Sequence, residues 1–175
     1  MTSNESQIVL FSLDGVLYGT DVHQVREVRE LQDITPVPYA PFYVEGVTNL
    51  RGEVIPVIDL RKRFGIREKD KDERSKIMIV VQDEDKKVVG IIVDSVMEVM
   101  SISQNDTERT PDILTTADSD CVLGVAKRGE DLIILLDLQK VVSKKDVEAT
   151  RTIEELAASS VESPMPETSS PEILG

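Results

Sequence analysis

Few residues in this chain have the types and spacing that chemistry requires. His23 is the only histidine and reads as a surface residue, not a catalyst. Cys121 is the only cysteine, which excludes an internal disulfide and a cysteine-based zinc site. The acidic runs DED at Asp83 and DSD at Asp118 lack the ligand spacing of an EF-hand loop. No phosphate-binding glycine loop, nucleophile–base pair or metal-ligand cluster is written in the sequence. No enzyme activity and no cofactor are therefore expected. What stands out instead is Arg51, within EGVTNLRGEVIPVIDLRKRFG from Glu45 to Gly65. It sits at the tip of an apolar hairpin, where the plainest reading is a solvated turn residue.

The elements that must position these residues are strands. QIVLFSLDG, EGVTNLRG, EVIPVIDL, KIMIVVQDED, KKVVGIIVD and DLIILLDL are each strand-length and rich in branched residues. Several are apolar on both faces, which suits strands in small barrels better than an open sheet. Gly46 and Gly52 set the geometry of the Arg51 hairpin. Gly52 suits a short β-turn whose last residue has positive φ, such as a type I turn followed by a bulge. Pro56 cannot donate to a ladder, so its strand is expected at a sheet edge or bulged there. The spacing of Val22, Val25 and Val28 fits no single strand face. A bend or a single helical turn must intervene, and the same holds for Val93, Val96 and Val99. Burial statistics alone make these valines core, and make Glu27 and Glu98 exposed residues on half-buried strands.

The chain also repeats itself. YGTDVHQVREVREL (Tyr18 to Leu31) aligns without gaps on VGIIVDSVMEVMSI (Val89 to Ile102), matching Gly19 with Gly90, Val25 with Val96 and Glu27 with Glu98. GVTNLRGEVIPVIDL from Gly46 resembles GVAKRGEDLIILLDL from Gly124, matching Arg51-Gly52 with Arg128-Gly129 and Asp59-Leu60 with Asp137-Leu138. Two matches in one order indicate a duplicated all-β unit. Each half is marginal alone, so the halves are expected to share an apolar seam.

Composition narrows the partners. The formal net charge of −13 argues against nucleic-acid backbones and anionic membrane surfaces. Aromatics make up only 3% of the residues, so the core must come from Val, Ile and Leu. The N-terminal residues have no signal-peptide pattern. VVGIIVDSVMEVM is interrupted by Asp94 and Glu98 and is too short to span a bilayer, so a cytoplasmic protein without direct membrane insertion is expected. REKDKDERSK (Arg67 to Lys76) reads as an exposed connector. Residues 145–175 hold seven acidic and two basic residues and read as a short helix followed by a disordered acidic tail.

In order, GTDVHQVREVRE, ITPVPYAPFYVEGVTNLRGEVIPVIDLRKRFG, VVGIIVDSVMEVM and VLGVAKRGEDLIILLDLQKV resemble the CheW family of bacterial chemotaxis coupling proteins. The likeness spans residues 7–144, and NLRG-x-x-x-P-V-x-D-L is its most specific part. It implies an all-β fold with minor helix, two five-stranded SH3-like barrels. With the repeat, it puts lobe one at about residues 14–75 and lobe two at about residues 76–140. It also implies no catalytic activity and a linking role. The protein would join the cytoplasmic tips of methyl-accepting chemotaxis receptors to the regulatory domain of the CheA histidine kinase, which has the same two-barrel fold.

Carried over residue by residue, receptor contacts fall in an apolar groove near the lobe junction, on Val22, Val25 and Val28 of lobe one and Val96 and Val99 of lobe two. Glu27 and Arg51 match polar positions important for coupling. The hairpin then becomes a recognition edge, whose arginine offers a planar donor fork to a partner carboxylate or carbonyl. Three alternatives remain. A CheV-like adaptor would need a receiver domain, for which the chain leaves no room. An isolated kinase regulatory module would share the fold. An enzyme on a small barrel would need convergent titratable residues in a cleft.

Overall fold

Branched residues favour a pleated backbone, and the apolar runs fold accordingly in the computed structural model, which describes residues 5–82, 86–109 and 120–141. The chain runs through β1 (Glu5–Leu13), β2 (Val16–Asp21), a 3-10 turn (Val22–Gln24) and β3 (Val25–Glu30). It continues with β4 (Val44–Leu50), β5 (Glu53–Asp59), the one-turn helix α1 (Leu60–Arg63), β6 (Lys76–Val81) and β7 (Val88–Val93). Then come β8 (Ser95–Ser103), a second 3-10 turn (Gln104–Asp106), β9 (Thr107–Glu108), β10 (Val122–Arg128), β11 (Asp131–Leu136) and α2 (Leu138–Val141). The acidic run at Asp83, the run beginning at Asp118 and the tail from residue 145 lie outside the described residues, apart from Asp120. Among the described residues no helix is long and apolar enough to cross a membrane.

Two sheets form, ordered β3-β6-β7-β5-β4 and β8-β1-β2-β11-β10-β9. They are one topology written twice. In each, an antiparallel hairpin (β6–β7 or β1–β2) pairs antiparallel with β3 or β8 on one side. On its other side it pairs parallel with β5 or β11. The hairpin partner of that strand, β4 or β10, completes five strands. Lobe two adds the short β9, which lobe one answers with a single bridge between Thr35 and Val47.

The expected division of the chain near residue 75 is not how the strands sort. β1 and β2 belong with β8–β11, while β6 and β7 belong with β3–β5. Each lobe is therefore built from two separate stretches of chain. The chain passes from one sheet to the other at the turn Val22–Gln24 and again at Asp94. Register is set by which face must be buried, and that long-range requirement overrides nearness in sequence.

Three apolar clusters result. Leu50, Ile55, Val57, Ile77, Ile79 and Ile92 fill lobe one. Ile8, Leu10, Ala126, Ile133 and Leu135 fill lobe two. A third cluster, including Val9, Phe11, Met78, Val80, Ile91 and Leu136, draws on both sheets and is the seam. β1 and β6 therefore bury alternate residues in their own lobe and in the seam, which is why their sequences are apolar on both faces. The duplication extends to packing. A Cβ on Gly90 would meet Ile77 and Val57, and a Cβ on Gly19 would meet Ile8 and Leu135, residues at corresponding register positions in the two sheets.

Candidate interaction surface

The valine spacing has a structural cause. The Val22–Gln24 turn separates Val22 from Val25, and a bend at Asp94 separates Val93 from Val96. Between Val25 and Glu27 the β3–β6 register shifts, and between Val96 and Glu98 the β8–β1 register shifts in the same way. Such a bulge inserts one residue and returns a side chain three positions on to the same face. Val25 and Val28 thus lie opposite Val80 and Met78, while Val96 and Val99 lie opposite Phe11 and Val9. All four partners belong to the seam cluster, so the four valines share the seam-side faces of their sheets. Val22, Val25 and Val96 are half-buried and pack against that cluster. Val28 and Val99 are 40% and 55% exposed. β3 is an edge strand of one sheet and β8 of the other.

Glu27 and Arg51, singled out separately in the sequence, form a pair. Arg51 Nη2 donates to Glu27 Oε2 at 3.3 Å, and Arg29 Nη1 donates to the other oxygen at 3.2 Å. The sequence reading missed the counterpart, in which Arg128 Nη1 donates to Glu98 Oε1 at 2.8 Å. The repeat contained that signal, because it had aligned both members of each pair.

Both hairpins close with a two-residue loop, set one position apart along the matched sequences. Leu50 pairs with Glu53, leaving Arg51 (φ 54°) and Gly52 (φ 87°) as the loop. Two consecutive positive φ values make a type I′ turn, in place of the expected type I turn with a bulge. Asn49 Oδ1 accepts the Gly52 N–H at 2.8 Å. The type I′ turn is favoured because its twist matches the strands, at a cost of about 1 kcal/mol for holding arginine in the left-handed region. In lobe two Arg128 pairs with Asp131, and Gly129 (φ 60°) opens the loop.

Gly46 has a φ of 147°. The β4–β5 register shifts there, and a Cβ would lie 2.0 Å from Thr35 O. Pro56 does not sit at an edge. β5 lies between β4 and β7, the bulge is on β4, and parallel pairing with β7 begins only at Val57. The proline therefore precedes the point where β7 would need its N–H.

Two clamps fix the crossings between lobes, and the sequence reading found neither. Arg61, buried in α1, donates through Nε to Asp94 Oδ1 at 2.6 Å and through Nη2 to Oδ2. Its Nη1 donates to Arg67 O at 2.6 Å, and the Asp14 N–H donates to Asp94 Oδ2 at 2.8 Å. Burial alone would raise the Asp94 carboxyl, but hydrogen bonds from Arg61 and Asp14 and the Arg61 charge hold it below its ordinary value. The second clamp is no ion pair but a neutral amide bonded to a carboxylate and a backbone N–H. Gln24 Nε2 donates to Asp137 Oδ1 at 2.9 Å, and its Oε1 accepts the Leu138 N–H at 3.0 Å. Asp94 had registered in the sequence only as a break in an apolar run.

His23 is exposed, with Nδ1 2.9 Å from Asp21 Oδ1. No group of three or more metal-ligating residues is placed to hold an ion among the described residues. The surface offers apolar faces and directed ion pairs, which is recognition chemistry.

Residues 7–146 match the family model described as a CheW-like domain. Chemotaxis protein CheW of Treponema pallidum (strain Nichols) is 38% identical over 151 residues, covering 85% of this chain and 88% of the relative. Chemotaxis protein CheW of Thermotoga maritima is 35% identical over 140 residues, covering 80% and 89%. The crystal structure of the scaffolding protein TtCheW from Thermoanaerobacter tengcongensis is similar with a TM-score of 0.72 and 42% identity, covering 81% of this chain and 94% of that one.

Proposed function

The chain belongs to the CheW family, and on that premise we propose that this chemotaxis coupling protein joins the cytoplasmic tips of methyl-accepting receptors to the regulatory domain of the CheA histidine kinase. The observation that carries the reading is the shared seam-side face of Val25, Val28, Val96 and Val99 on two edge strands. A receptor tip is a helical hairpin, and a helix presents apolar anchors at i, i+3 and i+4 to a groove. Stiff branched side chains lose little entropy on receiving such a face. The Glu27–Arg51 pair adds polar groups whose partners a docking surface can exchange. The kinase regulatory domain shares the two-lobe fold, so lobe ends can pair pseudo-symmetrically. On this reading the protein works in the cytoplasm, recruited to membrane-associated receptor arrays, and assembles partners without catalysing a reaction.

Co-sedimentation with a receptor cytoplasmic fragment and the kinase regulatory domain tests this. The expected result is capture by each partner separately and a ternary complex with both. Capture by neither overturns it.

A further inference from the structure

The matched bulges of the two edge strands carry different residues. On β3 the register passes from Val25–Val80 to Glu27–Ile79, and on β8 from Val96–Phe11 to Glu98–Leu10. The extra, unpaired residue of such a bulge is Arg26 in lobe one and Met97 in lobe two. Both are exposed, Met97 by 54%. Arg26 is also uncommitted. Among the described residues its guanidinium enters no ion pair or hydrogen bond, while Arg29 and Arg51 both donate to Glu27. In lobe two Arg128 is taken by Glu98.

The two valine faces are otherwise alike. Val25 and Val28 stand at register positions equivalent to Val96 and Val99. Between the valines the sequences are Arg-Glu on β3 and Met-Glu on β8, so the bulge residue alone distinguishes them. An apolar helix face by itself would suit either edge, and a helical hairpin could lie across the pair in either of two senses. We propose that Arg26 sets which way round the receptor hairpin docks. It pairs with a carboxylate beside the apolar anchors of the helix that covers β3, while Met97 receives a helix surface without one. The proposal rests on the valine faces receiving the receptor and adds the residue that orients it. A carboxylate set down beside Arg26 exchanges water for a planar donor fork. The same carboxylate reversed onto β8 would lose water against a thioether, and Arg26 would meet apolar surface. Met97 is flexible and polarizable, so it moulds to the apolar contour it is given. Orientation therefore comes from the penalty on the reversed pose as much as from the attraction in the correct one.

Titration of a receptor cytoplasmic fragment into valine-methyl-labelled protein, with a spin label on one helix of the fragment's tip, tests it. In the wild-type complex the label should broaden the methyls of Val28 or those of Val99, not both. In the Arg26→Met/Met97→Arg variant, whose changes are at exposed sites, the broadening should move to the other valine. Arg26→Glu should weaken binding about fivefold and lower its salt dependence. Equal broadening of both valines in the wild type, broadening that stays in place in the exchanged variant, or unchanged affinity in Arg26→Glu overturns the proposal. Each of these can occur while Val28→Asp still abolishes binding, which leaves receptor docking on the valines standing. A fragment that fails to bind the wild-type protein overturns that docking and the orientation with it.

Discussion

In lobe one Glu27 accepts from two arginines and keeps 22% of its side chain exposed; in lobe two Glu98 accepts from one and keeps 49%. The geometry is duplicated, and the surroundings are not. Arg26 and Arg29 of β3 align with Met97 and Met100 of β8. Away from these strands lobe two exposes Leu123 and Leu132, and lobe one exposes Tyr39, Phe42 and Val54. The crossings diverge similarly, one held by the Arg61–Asp94 ion pair and the other by the amide of Gln24. A duplicated barrel fixes where groups stand, and substitution at matched positions decides what kind of partner each lobe suits.

The clamps give the largest way to break this comparison. Asp94→Ala leaves the buried Arg61 without its bidentate carboxylate, with only the more exposed Asp14 at 3.6 Å, and should cost about 3 kcal/mol in urea unfolding. Gln24→Ala removes the bonds of a neutral amide, one of them to the Asp137 carboxylate, and should cost about 1.5 kcal/mol. Equal losses would mean that charge makes no difference between the crossings.

Acid sharpens the same contrast. Asp94 is held below its ordinary value, so the folded state binds fewer protons there than the unfolded chain. That contribution is complete above the unfolded value of about 3.9 and disappears as pH falls through the folded value. Asp59 opposes it, because burial raises its carboxyl and favours the protonated folded form. Asp94→Asn should therefore flatten the loss of stability on acidification.

The smallest effect on stability belongs to the hairpin tips. Arg51→Glu and Arg128→Glu should each change unfolding by less than about 0.5 kcal/mol, since both sites are exposed. Their consequences for assembly should differ. Loss of a charge-assisted contact at an interface costs about 2–5 kcal/mol, and that loss is expected at Arg51 alone. Kinase activation in reconstituted arrays reads it, and equal effects of both variants would erase the distinction between lobes.

Much of this was legible because duplication leaves sequence marks. The repeat disclosed equivalent strands, equivalent glycines and the shared seam, and the two-sided apolar runs disclosed barrels. The lobe partition was not legible, because β1–β2 and β6–β7 choose partners by register across the fold and not by nearness in the chain. The bulges at Val25–Glu27 and Val96–Glu98 left only an odd spacing, readable as a bend. The type I′ turn was hidden by an arginine where asparagine or glycine is usual. The clamps were hidden because Arg61 and Asp94 are 33 residues apart and neither carries a motif.

The central claim is that the seam-side faces of β3 and β8 receive the receptor. Val28→Asp and Val99→Asp test it most directly, because both side chains are exposed and substitution there should leave stability within about 0.5 kcal/mol of wild type. Titration of a receptor cytoplasmic fragment, with circular dichroism and kinase regulatory-domain binding measured alongside, should show both variants folded and kinase-competent but unable to bind receptor. Wild-type receptor affinity in both folded variants would contradict the account.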